Sequence, residues 1–179
     1  MAILPIHVLG STVLRQEAEP VTVFDDELRS LVADMYETMD TALGVGLAAN
    51  QIGTARRVAV IDAEGNRFVM INPRIVDRST ATSGAEEGCL SIPDAYGEVK
   101  RPVSIVLEAQ DEHGAEFRLE LDGLPARAVQ HEIDHLDGIL FTDHLSPLKR
   151  QLLLRRWKKD HEGEGLTWIP TPEESETAG

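Results

Sequence analysis

Residues 130–141 read QHEIDHLDGILF, with two histidines four apart and a glutamate beside the first, and the fold is worked out from this stretch. Residues i and i+4 of an α-helix share a face about one turn apart, so a helix here presents His131 and His135 to a single ion. Glu132 can then reach a water at that ion without itself ligating, as the general base of an HExxH motif does. His, Glu and Asp are also ordinary helix-surface residues. The third ligand therefore decides the matter, because a catalytic zinc-type site needs three protein ligands and an open position.

The chain follows the longer pattern HExxHxxGxxH as far as Gly138 and then has Phe141, which cannot bind a metal. The first glutamate after His135 is Glu162, beyond a proline break and in a basic segment. What remains is Cys89, the only cysteine, in EEGCLSIP. A thiolate with two imidazoles is a sound three-ligand set that leaves one position for water. A lone cysteine is more often a small buried hydrophobe. Here Gly88 before it and Ser91-Ile92-Pro93 after it mark a tightly turned backbone rather than a smooth core strand.

The helix should begin near Pro125 and stop at Gly138. Val129, Ile133 and Leu136 form one apolar stripe, and Ala128, His131, His135 and Gly138 form the other, so the histidines lie beside small residues that leave space for a substrate. Upstream, residues 25–43 carry Leu28, Leu31, Val32, Met35 and Met39 at helical spacing, with acids in the first turn and Gly44 past the end. Two hairpins are expected, one around Glu64-Gly65-Asn66 and one across Glu112-His113-Gly114. The fold class is α+β: antiparallel β-sheets around a central HExxH helix, with N-terminal and C-terminal helices. One catalytic domain should span residues 1–165, with a C-terminal helix at about 147–160. Residues 166–179 should form an acidic, Pro-containing, disordered tail.

At 179 residues and 42% hydrophobic content, the chain suits a single core. The formal net charge of -14 argues against nonspecific nucleic-acid binding by the body of the protein, and no sequence-specific nucleic-acid or membrane partner is expected. Six of the 17 Lys and Arg nevertheless fall between Lys149 and Lys159. That basic helix is either docked on the core with solvated cations or a ribosome contact. No apolar run approaches 18 residues and the N-terminus lacks the parts of a signal peptide, so a cytoplasmic protein is expected. One cysteine excludes an internal disulfide.

A third stretch, GVGLAANQIG at residues 44–53, is weak alone, since a helix cap followed by tight packing explains its glycines. Together, GVGLAANQ, EGCLS and HEIDH, in that order and at these separations, resemble the signature motifs of the peptide deformylases of bacterial type 1. The likeness covers roughly residues 1–160. It implies a metal-dependent hydrolase that removes the formyl group from the N-formylmethionine of newly made polypeptides. Cys89, His131 and His135 would hold one divalent ion, and Glu132 would be general base and then general acid. Gln51 and the Leu90 N–H would stabilise the oxyanion. The peptide would lie extended near Val45, Gly46 and Gly88. Leu124, Ala128 and Val45 would line the methionine pocket, with Arg127 at its mouth. Ligand type alone favours Zn2+, whereas the resemblance implies Fe2+, with Ni2+ or Co2+ as substitutes. Two other readings stay open: a zincin-type peptidase with a downstream third ligand, and a noncatalytic metal-binding or ribosome-associated protein.

Overall fold

The run VAVIDA, residues 58–63, is apolar at consecutive rather than alternate positions, which in a strand means that both faces are covered. The computed structural model, which describes residues 1–172, shows what covers them. Strand β3 (Val58–Ala63) pairs with β4 (Asn66–Arg78) across a two-residue turn in which Glu64 and Gly65 both have positive φ, 49° and 82°. That is the primed geometry whose twist matches a hairpin. The sheet is antiparallel and five-stranded, in the order β2 (Gly46–Ala48), β3, β4, β7 (Ser104–Gln110), β8 (Glu116–Asp122).

Helix α1 (Asp26–Thr41) covers one face. Its Leu28, Val32, Met35 and Met39 pack on Leu47, Val58, Val60 and Ile71, and truncating one such buried side chain to alanine typically costs about 2–5 kcal/mol. Asp25 caps it, accepting from the Leu28 N–H at 3.0 Å. Helix α2 (Gly123–Leu136) covers the other face, where Ala126, Ala128, Val129 and Leu136 meet Ala59, Ile61, Met70 and Leu107. The alternation along β3 thus sends Val58 and Val60 to α1 and Ala59 and Ile61 to α2. Helix α2 starts two residues before the expected Pro125 and ends where expected. Gly138 has φ +74° and passes so close to the Arg15 carbonyl that a Cβ would stand 2.8 Å from its oxygen, so only glycine closes the helix here.

On its far side α2 meets an element the sequence reading did not foresee. Strands β5 (Thr82–Cys89) and β6 (Ile92–Pro102) form a separate antiparallel hairpin, with a register shift between Gly88 and Cys89. Ile92, Ala95 and Val99 pack with Leu140 and Phe141, and Leu153 and Trp157 of α3 (Pro147–Asp160) lean on this third cluster. The ends of the chain meet in a short pair, β1 (Ile6–His7) against β9 (Thr167–Trp168). The segment read as a tail from residue 166 thus contains a strand; residues 173–179, the remainder of that expectation, lie outside the described residues. Among the described residues no helix is long and apolar enough to cross a membrane.

Candidate metal centre and active site

Three elements bring the site together. Helical spacing on α2 sets the two imidazoles side by side, with Nε2 of His131 and Nε2 of His135 3.1 Å apart. The bulge at the end of β5 turns Cys89 toward them, with Sγ 3.3 Å from His135 Nε2. All three donor atoms lie within 4.8 Å of one another. Donors sharing one ion at bond lengths of about 2.0–2.3 Å stand roughly 3.4–3.6 Å apart, so this convergence suits a single small cation.

The two imidazoles are electrostatically unlike. Burial opposes a charge on either imidazole, yet hydrogen bonds to Cys89 and Glu87 hold His131 well above the usual histidine range. Burial and the neighbouring His131 hold His135 well below it. Cys89, His131 and His135 fit a divalent ion on donor chemistry as well as on position.

Glu132 is buried, and its Oε2 has no hydrogen-bond partner among the described residues. Burial pushes its carboxyl up to about 7, with His131 and Arg101 pulling it back. Gly46 of β2 explains how the carboxylate fits: a Cβ there would stand 2.9 Å from Glu132 Oε1. Gln51, in the 3₁₀ turn after β2, is also buried. Its Oε1 accepts from the Ala48 N–H at 2.9 Å, which fixes the amide so that Nε2 faces Ser91 Oγ at 3.1 Å and Cys89 Sγ at 3.7 Å. Leu90 sits at the tip of the β5–β6 turn, beside these atoms.

A cavity of about 490 Å³ opens above the cluster and is lined by Val45, Gly46, Gln51, Gly88, Cys89, Leu90, Leu124, Arg127, Ala128, His131 and Glu132. Of the residues singled out in the sequence, only His135 lies beneath it rather than on its wall, fully buried. Arg127 lines the cavity, but its guanidinium is committed to Glu87 Oε2 at 2.6 Å and to the carbonyls of Val99 and Ser83. It clamps the β5–β6 hairpin to α2.

Sequence reasoning missed Glu87. Its Oε1 stands 3.0 Å from His131 Nδ1 and its carboxylate takes two bonds from Arg101, at 2.6 and 2.9 Å. Such a partner fixes the ring and the tautomer of a ligating histidine. Arg101 continues to Asp134 at 3.0 Å, tying the hairpin to α2 a second time. Phe141, rejected as a ligand, stacks on His131 with ring centroids 6.5 Å apart. Trp168 of β9 was missed as well, and it lines the same cavity. The only sequence signal for Glu87 was its place two residues before Cys89.

Comparison with known proteins agrees with this geometry. The profile of the family described as "Polypeptide deformylase" matches residues 3–151. A peptide deformylase of Rhizobium meliloti is 47% identical over 174 residues, covering 94% of this chain and 100% of the relative. The crystal structure of a peptide deformylase from Legionella pneumophila superimposes with a TM-score of 0.85 at 45% identity, covering 89% of this chain and 95% of the other. A peptide deformylase from Ehrlichia chaffeensis in complex with actinonin gives 0.87 at 37% identity, covering 90% and 99%. On these matches the chain belongs to the polypeptide deformylase family, metal-dependent hydrolases that remove the N-formyl group from nascent polypeptides.

Proposed function

We propose that Cys89, His131 and His135 hold the ion of the deformylation reaction, that Glu132 moves the proton, and that Gln51 and the Leu90 N–H steady the charge that develops on the formyl oxygen. The observation that carries this reading is the convergence of Sγ and two Nε2 atoms beside a buried, unpartnered carboxylate oxygen at the base of one cavity. A divalent ion held by Cys89, His131 and His135 would supply an acidified water as nucleophile and Lewis-acid polarisation. Glu132, with a proton affinity near neutral, takes the proton as water adds to the formyl carbon and gives it to the amine nitrogen as the C–N bond breaks. Formate and a free N-terminus result. The Gln51 amide, oriented by Ala48, donates to the oxyanion in place of its long contact to Cys89 Sγ, and one such donor is worth roughly 10²- to 10³-fold in rate. Val45, Leu124 and Ala128 take the methionine side chain, and the backbone near Gly46 and Gly88 takes the extended peptide.

We infer that the native ion is ferrous iron, with zinc, nickel or cobalt able to take its place. The soft thiolate tolerates all four. Half-exposed Cys89 makes the iron form sensitive to oxidation. A substrate made on the ribosome assigns the protein to the cytoplasm.

Metal analysis of Cys89→Ala and Glu132→Ala, purified without oxygen, tests the ligand set. Cys89→Ala should lose the ion, and Glu132→Ala should keep it while losing formate release. A Cys89→Ala protein with full metal content would return the site to the peptidase reading, with a ligand elsewhere.

A further inference from the structure

Beyond the family match, which ends at residue 151, the chain returns to the active site. Strand β9 pairs with β1, Ile6 opposite Trp168 and His7 opposite Thr167. The Val8 N–H donates to the Leu166 carbonyl and the Leu9 N–H to the Ser91 carbonyl, both at 2.9 Å. β9 is thereby tied through the N-terminal segment to the turn that carries Cys89 and Leu90. A direct link runs alongside: Trp168 Nε1–H donates to the Leu90 carbonyl at 2.9 Å. Trp168 also lines the active-site cavity and, with Pro93 and Asp94, a second cavity of about 460 Å³ bordered by Leu9, Trp157, His161 and Leu166.

The active-site cavity lies in the volume range that holds a drug-sized ligand, so one methionine side chain does not fill it. Besides Leu124 and Ala128 of the ligating helix, its lining includes Pro93 and Tyr96 of β6 and Trp168 of β9. Tyr96 is 61% exposed, so its ring is free to meet a peptide. We propose that Trp168 is a positioning and specificity-determining residue of this enzyme, its N–H holding the Cys89–Ser91 turn and its ring receiving the residues that follow the formylmethionine. This rests on the deformylase reading of the site.

The test compares wild type, Trp168→Phe and Trp168→Ala on N-formylmethionine amide and on an N-formylmethionyl tripeptide, with kcat and KM measured separately. Trp168→Ala should raise KM for the tripeptide about tenfold and leave KM for the amide within about twofold, because only the longer substrate reaches the ring. Trp168→Phe keeps a ring and removes the donor, so it should lower kcat on both substrates and leave the ratio of their KM values unchanged. Equal effects of Trp168→Ala on KM for the two substrates would overturn the proposal. A second measurement does not depend on that variant folding. In Trp157→Phe/Glu132→Ala, Trp168 is the sole tryptophan, and its fluorescence should respond to the tripeptide and not to the amide; no response to either would also overturn it. Wild-type protein that released no formate from either substrate would instead defeat the underlying reading.

Discussion

Glu87 shows what a single residue does here that its letter in EEGCLS does not announce. Its carboxylate is buried against Arg101, Arg127 and His131. Burial pushes its pKa up, but the bonds from His131 and Arg101 outweigh this and hold it well below the ordinary carboxylate range. A depressed carboxyl contributes stability that is present above its unfolded value, near 4.5, and is lost as pH falls through the folded value. Glu87→Gln removes the carboxylate shared by Arg101 and Arg127 and leaves buried Arg101 with Asp134 as its one acidic partner, so urea denaturation at pH 7 should show a loss of about 3 kcal/mol. The gap between the two proteins should narrow below pH 4.5; a gap that stayed constant down to pH 3 would contradict this origin. Metal affinity should fall about 10- to 100-fold as well, since His131 loses the partner that orients it. The convergence of Cys89, His131, His135 and Glu132 was legible in the sequence because residue type, spacing and the family resemblance all point to these four. Glu87 was not, because a buried, paired acid and a solvated one have the same letter and the same neighbours. The second task of Arg127, which lines the cavity as expected, was hidden for a related reason, since nothing local says that a guanidinium at a cavity will be tied to a strand.

At the scale of elements, periodicity made α1, α2 and the β3–β4 and β7–β8 hairpins readable. The β5–β6 hairpin escaped because TSGAEEGC and IPDAYGEVKRP, with their glycines and prolines, lack the alternation of a half-buried strand. In β5 only Glu87 is buried, so the apolar face of the hairpin comes from Ile92, Ala95 and Val99 of β6 alone, and β5 is held by its clamps to α2. The approach of β2 to α2 yields a prediction of its own. In Gly46→Ala the new methyl displaces Glu132, and a shift of about 1 Å in a reacting group can cost roughly 10²-fold, so kcat should fall by that order with metal content unchanged. Unaltered kcat would mean that Glu132 does not work from this position. Helix α3 leans on the core through Leu153 and Trp157 and leaves Lys149, Arg155, Arg156, Lys158 and Lys159 exposed, as a docked helix with solvated cations would; the same five cations are the ones a ribosome contact would use. Replacing these five by glutamine preserves β9 and should abolish salt-sensitive co-sedimentation with ribosomes while leaving turnover of short peptides intact. Co-sedimentation unchanged by the replacement would rule the helix out as the contact.

The whole molecule is a sheet covered on both faces, with the chemistry on the helix that lies between that sheet and the β5–β6 hairpin. Burial from both sides gives the site its properties together: it lowers the proton affinity of His135, raises Glu132 toward neutrality, and leaves an open cavity for a peptide. This arrangement was legible in class and not in detail. The α+β pattern followed from local periodicity, whereas the closure of the chain ends through β1 and β9 joins residues 160 apart and leaves no mark on either. The most direct test of the account is formate release from a short N-formylmethionyl peptide by protein prepared without oxygen and loaded with iron or nickel, measured beside Glu132→Ala carrying the same metal. Release by the native protein and at least a 10²-fold loss in the variant is the expected result. Metal-loaded native protein that releases no formate, or a Glu132→Ala protein that releases it undiminished, would contradict the account.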